Sequence, residues 1–155
     1  MAAQFSRSQV IEILRQDLPT LFEREISYDI YTPEITFTDP LSTFRGKCSY
    51  RLIFWALRFH GRLFFTQIAF EVHDILEERD RTLRVNWTVR GTLRLPWRPK
   101  LLFNGDSQYH LNADGLIEAH RDTWDRPPIE ILKQFFSTSP APASPPKPAS
   151  LNGEN

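Results

Sequence analysis

Apolar residues recur at three- and four-residue spacing through "FSRSQVIEILRQDLPTLF". Val10, Ile11, Leu14, Leu18, Leu21 and Phe22 form one stripe, which predicts an amphipathic helix. Ser6 and Gln9 have capping-box spacing, and Phe5 and Val10 are placed as a hydrophobic staple, so the helix should begin there. Pro19 lacks an N–H and should end the run or start a second short helix. The next stretch, "ISYDIYTPEITFTDP", reads as extended, with Ile35 and Phe37 on one face and Asp39-Pro40 as a turn. Helical spacing returns in "FRGKCSYRLIFWALRFHG", where Tyr50, Phe54 and Leu57 share a face with Ile53 beside them and Gly61 is the expected stop.

From Phe65 onward the period drops to two. Residues 65–76 read as a strand, and "EERD" as the turn after it. Leu83, Val85, Trp87, Val89, Leu93 and Leu95 keep one parity, broken at Gly91, where a bulge or bend is expected. "PWRP" is a turn; Leu101, Phe103, Tyr109 and Leu111 then mark one face of the next strand. "NADG" supplies a hairpin, "GLIEAHRDTWD" returns from it, and Pro127 and Pro128 end the return. A short amphipathic segment, "IEILKQFF", follows. Residues 5–136 thus read as one α+β domain with helices on one face of a sheet. Residues 137–155, rich in Pro, Ser and Ala, have too little apolar surface to fold and read as a disordered tail.

The returning strand has an unusual pattern. Glu118, His120, Asp122 and Trp124 share one parity, and Ile117, Ala119, Arg121 and Thr123 the other, so neither side is purely apolar. An Asp two residues from a His lies about 7 Å away on the same face, near enough for one ligand to touch both. Asp122 could then act as a base and His120 as an acid, with Trp124 covering an apolar ligand. The plainer alternative is a polar outer face backed by Ile117 and Ala119. The hydroxyls of Tyr28, Tyr31, Tyr50 and Tyr109 either reach a ligand oxygen or are satisfied at the rim of the core. Trp87 reads as core, Trp55 as core or pocket lining, and Trp97 as a turn residue or an exposed anchor.

Composition narrows the function classes. The 155 residues have zero formal net charge and a pI near 6.9, so no global field recommends a nucleic-acid partner. Cys48 stands alone, which excludes an intramolecular disulfide, and is expected to be a buried, unreactive thiol. There is no phosphate loop, HExxH, EF-hand or GxSxG elbow. The four histidines lack metal-ligand spacing, so neither a metal nor a cofactor is assigned. No apolar run approaches the ~18 residues of a membrane span. The N-terminus lacks a signal-type stretch, giving a cytoplasmic expectation, or the chloroplast stroma if a targeting segment has been removed.

The motifs "YTPEITFTDP", "FRGKCSY", "LRLPWRP" and "FNGDSQY", with the ending "GLIEAHRDTWD", resemble the SnoaL-like or nuclear-transport-factor-2-like superfamily. More narrowly they resemble an uncharacterised family of cyanobacteria and of chloroplast proteins in plants and algae. The resemblance implies a cone-shaped, curved antiparallel or mixed sheet wrapped by N-terminal helices around a hydrophobic, polar-tipped conical pocket. It also implies His120 and Asp122 as the "HxD" of a final strand facing that pocket, and Asp39 as an acidic residue near its mouth. Trp124, Tyr109, Trp55 and Tyr31 are the candidate ligand-binding side chains. Similar domains accompany haem-binding modules, which makes a tetrapyrrole or other hydrophobic pigment a conceivable ligand.

Three function classes follow: a small-molecule-binding domain, an acid–base enzyme of isomerase, cyclase or dehydratase type, and an assembly module forming a homodimer through its outer sheet face.

Overall fold

The Ser6 hydroxyl accepts from the Gln9 N–H at 3.2 Å and Gln9 Oε1 accepts from the Ser6 N–H at 2.8 Å. This closed capping box starts α1 (Arg7–Asp17). The computed structural model describes residues 5–137. The tail reading for 137–155 therefore lies outside the described residues except at Ser137. Pro19 opens a 3-10 turn, Leu18–Thr20, as its missing N–H allows. Val10, Leu14, Leu18 and Leu21 are all buried, which is the stripe the spacing predicts.

Strand β1 (Tyr31–Thr38) turns at Asp39 into β2 (Thr43–Arg45), and α2 runs from Lys47 to Phe64. The expected helix over 44–61 is therefore displaced toward the C-terminus. Phe44 and Arg45 pair with β1, and Gly46, at φ 97°, makes the break into the helix. Gly61 does not stop the helix. It is buried, and a Cβ there would lie 3.4 Å from Phe22 and 3.5 Å from Ile68, so its small size serves close packing. Four further strands complete the sheet: β3 (Phe65–Glu77), β4 (Thr82–Leu93), β5 (Lys100–Leu111) and β6 (Ile117–Trp124). A short α3 (Pro128–Lys133) and a 3-10 turn, Gln134–Phe136, follow.

The six strands are ordered β2-β1-β6-β5-β4-β3, antiparallel except for the parallel β1–β6 pair. This overturns the cone-shaped, curved sheet expected from the resemblance, while the α+β class and mixed sheet stand. The sheet is neither closed nor strongly curled. Its ends are β2 and β3, which do not pair with each other, and β2 is three exposed residues long, too short to continue a wall. Closure would require those two edges to meet in register. The helices α1 and α2 lie over one face instead of wrapping a cone, and the core forms between them and Leu83, Val85, Trp87, Tyr109 and Ile117.

Gly91 keeps regular register within β4. The register shift lies opposite, between Phe65 and Gln67 of β3, and a Cβ on Gly91 would meet Gln67 O and Phe65 Cδ1 at 2.9 Å. Cys48, expected to be buried, is exposed on α2.

Candidate functional site

The mixed parity of β6 has a structural cause. Register slips between His110 and Leu111 on the neighbouring strand, so Ile117 pairs with Leu111 and His120 with Tyr109. One extra residue is accommodated across the bulge, which changes the facing of everything after it. Ile117 and His120 are both buried on the helix-covered side, although their parities differ. Glu118 is thrown outward, where its carboxylate lies 3.4 Å from His110 Nε2. After the bulge, His120, Asp122 and Trp124 face the space between sheet and helices.

That space is a cavity of about 520 Å³. Phe44, Ile53, Leu57, Ile68, Val89 and Phe103 supply much of its apolar wall, with Tyr109 and Trp124 beside the β6 pair. Among the described residues that line it there is no lysine or arginine; its titratable groups are Asp39, His60, Tyr109, His120 and Asp122. Asp39 stands on the β1–β2 turn, where one carboxylate oxygen accepts the N–H groups of Leu41 and Ser42, each at 2.8 Å. Its placement by the cavity thus comes with a turn-holding duty.

The polar groups on the sheet side form a single hydrogen-bonded chain. His120 Nε2 lies 2.6 Å from Asp122 Oδ1, and His120 Nδ1 lies 2.7 Å from the Tyr50 hydroxyl. A carboxylate only accepts, so Nε2 holds the hydrogen of the bond to Asp122, and the Tyr50 hydroxyl is the partner of Nδ1. Ser107 Oγ donates to the same Asp122 Oδ1 at 2.5 Å, and the Trp87 indole N–H donates to Ser107 Oγ at 2.9 Å. Strand register builds this order: Ser107 lies directly opposite Asp122, and Tyr109 opposite His120. Trp87 pairs with Gly105 and leans across it toward Ser107. Both carboxylate bonds end on Oδ1, and among the described residues no hydrogen bond ends on Oδ2.

Rings hold the imidazole in place. Tyr109 stacks on His120 with centroids 4.3 Å apart, and Phe37 meets it edge-on at 4.7 Å. Burial pushes the Tyr50 and Tyr109 phenols well above their ordinary range, and the neighbouring Tyr31 adds to the effect on both. Both hydroxyls therefore stay protonated and act as donors rather than bases. Tyr31, buried at 1% exposure, packs against Tyr50 at 4.8 Å behind the cavity instead of lining it. Trp55 points away, 51% exposed on the outer side of α2.

Candidate residues His120, Asp122, Asp39, Tyr109 and Trp124 thus meet at one cavity, whereas Tyr31 and Trp55 do not. Tyr50 and Ser107 complete the chain. Ser107 had a sequence signal, as a polar residue in the apolar row Leu101, Phe103, Tyr109 and Leu111. The pairing of Tyr50 had none, because it stands 70 positions from His120. Of the other histidines, His60 lines the same cavity with its ring on the Ala56 carbonyl, whereas His73 bonds Thr88 at 2.6 Å and His110 lies beside Thr82 and Glu118.

The fold is shared with solved structures of NTF2-like and SnoaL-like proteins. The epoxide hydrolase/cyclase-like enzyme SalBIII, described for pyran ring formation in polyether salinomycin, superposes with a TM-score of 0.58. The match is at 18% identity and covers 76% of this chain and 89% of that one. A putative isomerase of the SnoaL-like family from Agrobacterium tumefaciens gives a TM-score of 0.52 at 16% identity, covering 75% and 97%. These likenesses show the fold.

Within that fold, residues 8–120 match the family model described as "Uncharacterized conserved protein (DUF2358)", and the chain belongs to that family. It is 31% identical to the "Uncharacterized protein C6orf136 homolog" of Rattus norvegicus, over 70% of this chain and 71% of the rat protein. The homologue from Macaca mulatta is 30% identical, over 74% of each chain. No helix among the described residues is long and apolar enough to cross a membrane.

Proposed function

We propose that the cavity is an acid–base catalytic site for a hydrophobic, oxygenated small molecule, with chemistry of the isomerase, cyclase or dehydratase kind. The observation that supports this is the Tyr50–His120–Asp122–Ser107 chain, of which His120, Asp122 and Ser107 reach a mostly apolar cavity wall. Asp122 is the base. Its Oδ1 is fixed by two donors, which leaves Oδ2 to take a proton from substrate carbon and return it elsewhere on the same molecule. His120 is a positioning residue: both ring nitrogens are engaged by protein, and it is 4% exposed. This departs from the expectation that His120 itself protonates a substrate oxygen. Tyr109 and Trp124 bound the substrate, and Asp39 stands where the β1–β2 turn meets the cavity. The names of SalBIII and the Agrobacterium protein, a cyclase-like enzyme and a putative isomerase, favour chemistry over binding alone.

The test is hydrogen–deuterium exchange at the carbon next to the carbonyl of apolar bicyclic ketones such as 2-tetralone, followed by NMR in deuterated buffer. Wild type should accelerate exchange, and Asp122→Asn should lose about 10²-fold or more of that acceleration with the fold intact. Wild-type exchange no faster than that of Asp122→Asn across the ketone panel would remove the catalytic reading. Ketone binding seen in the same spectra would then leave a binding site without chemistry.

A further inference from the structure

Helix α2 has two apolar faces, and only one is used. Tyr50, Phe54 and Gly61 are buried toward the sheet, and Ile53 and Leu57 line the cavity. On the opposite side Leu52, Trp55, Phe59 and Leu63 are 63%, 51%, 47% and 53% exposed. Their spacing of three, four and four residues makes one continuous stripe along the helix. Trp55 and Phe59 stack on each other with centroids 5.2 Å apart. Singly scattered exposed apolar residues are ordinary, but a contiguous aromatic and leucine stripe marks an interaction surface.

The charge on this helix is one-sided. Lys47, Arg51, Arg58 and Arg62 are its charged residues, and its eighteen residues include no Asp or Glu, in a chain of zero net charge. Arg58 is buried and paired with Glu25 at 2.8 Å. Arg51 lies over the Tyr28 ring at 4.5 Å, and Arg62 donates to the Glu23 carbonyl, so neither of those contacts neutralises the guanidinium with a carboxylate. A second copy of the chain fits poorly, because antiparallel α2 helices would set these cations against one another with no acid on either helix. Tryptophan, phenylalanine and leucine flanked by arginine and lysine suit the headgroup layer of a membrane, where long basic side chains reach phosphates as the apolar stripe enters.

We infer that the outward face of α2 is a docking surface for an anionic lipid bilayer. Docking there sets the cavity, walled by the same helix, beside the membrane. The inference does not depend on whether the cavity performs chemistry.

The test is co-sedimentation of the full chain with phosphatidylcholine vesicles, with and without phosphatidylserine. Cys48, the single exposed cysteine on α2, is labelled in parallel with an environment-sensitive fluorophore. Binding to the phosphatidylserine vesicles should be tighter, weaken with salt, and shift the Cys48 label to the blue. The double variant Trp55→Ala, Phe59→Ala should lose roughly tenfold or more in partitioning while its unfolding midpoint stays near wild type. Leu52→Ser with Leu63→Ser serves as an independent pair, and Arg51→Glu with Arg62→Glu should abolish the preference for phosphatidylserine. Equal partitioning to both vesicle types, or unchanged binding by both stripe variants, overturns the inference. So does a dimer in sedimentation equilibrium that the stripe variants disperse, since the stripe would then belong to a second copy.

Discussion

Tyr50 shows how much of the site rests on single buried atoms. Its hydroxyl is hydrogen-bonded to His120 Nδ1 at 2.7 Å from a side chain that is 1% exposed, so no solvent can replace the bond. Tyr50→Phe keeps the ring contacts with Tyr31 and Phe54 but leaves a buried imidazole nitrogen without its hydrogen-bond partner. The expected cost is about 1–3 kcal/mol of stability, read from the urea midpoint at unchanged slope. A variant as stable as wild type would show that the hydroxyl is not coupled to the ring. Gly105 makes the opposite demand. A Cβ there would lie 2.5 Å from the Thr123 carbonyl oxygen and from Trp87 Cη2, so Gly105→Ala must displace backbone or indole. A loss of about 1–3 kcal/mol is expected, together with changed Trp87 fluorescence as its bond to Ser107 is disturbed. Unaltered fluorescence would place the strain elsewhere in the strand.

At the scale of elements, legibility followed the range of the forces involved. The rows Leu83–Val85–Trp87–Val89 and Leu101–Phe103 were readable because a period of two is a local property, and the Ser6–Gln9 box because its partners are three residues apart. Parity alone left the facing of His120 open, and only the resemblance pointed it toward a pocket. That facing depends on a bulge whose register is set by the neighbouring strand, and one extra residue reverses an assignment by parity. Trp55 was ambiguous for the same reason: helical spacing gives α2 two apolar faces, and only packing decides which is covered. The start of β5 shows another contact invisible locally. Gln134 accepts from the Leu102 N–H at 2.9 Å and donates to the Leu102 carbonyl at 2.7 Å, continuing the ladder where β6 has already ended. Gln134→Ala should strand both backbone groups and cost about 1–3 kcal/mol, with faster amide exchange at Leu102 as the local readout. Slow exchange at Leu102 in the variant would mean that another group takes over the pairing.

For the whole molecule, the tyrosines share a bias that ties the fold to pH. All four lie in or against the core, and burial is the largest cause of a raised phenol in each: Tyr28, Tyr31, Tyr50 and Tyr109. In the unfolded chain these groups ionise near pH 10. A folded-state value raised above the unfolded one means that the native protein retains protons the unfolded chain gives up. The associated stability is fully present below about pH 10 and is lost as pH rises through the folded values. Absorbance at the tyrosinate band should therefore stay nearly flat to the onset of unfolding, then rise as circular dichroism reports collapse of the sheet. In guanidinium the same titration should return to the ordinary range. Tyr50→Phe should flatten the alkaline loss of stability, because one of the groups that must ionise on unfolding is gone. Two or more tyrosines ionising near pH 10 with the dichroism unchanged would show that the helix-covered face admits water freely. The apolar setting proposed for Asp122 would then fail with it, since its cavity lies against that same face.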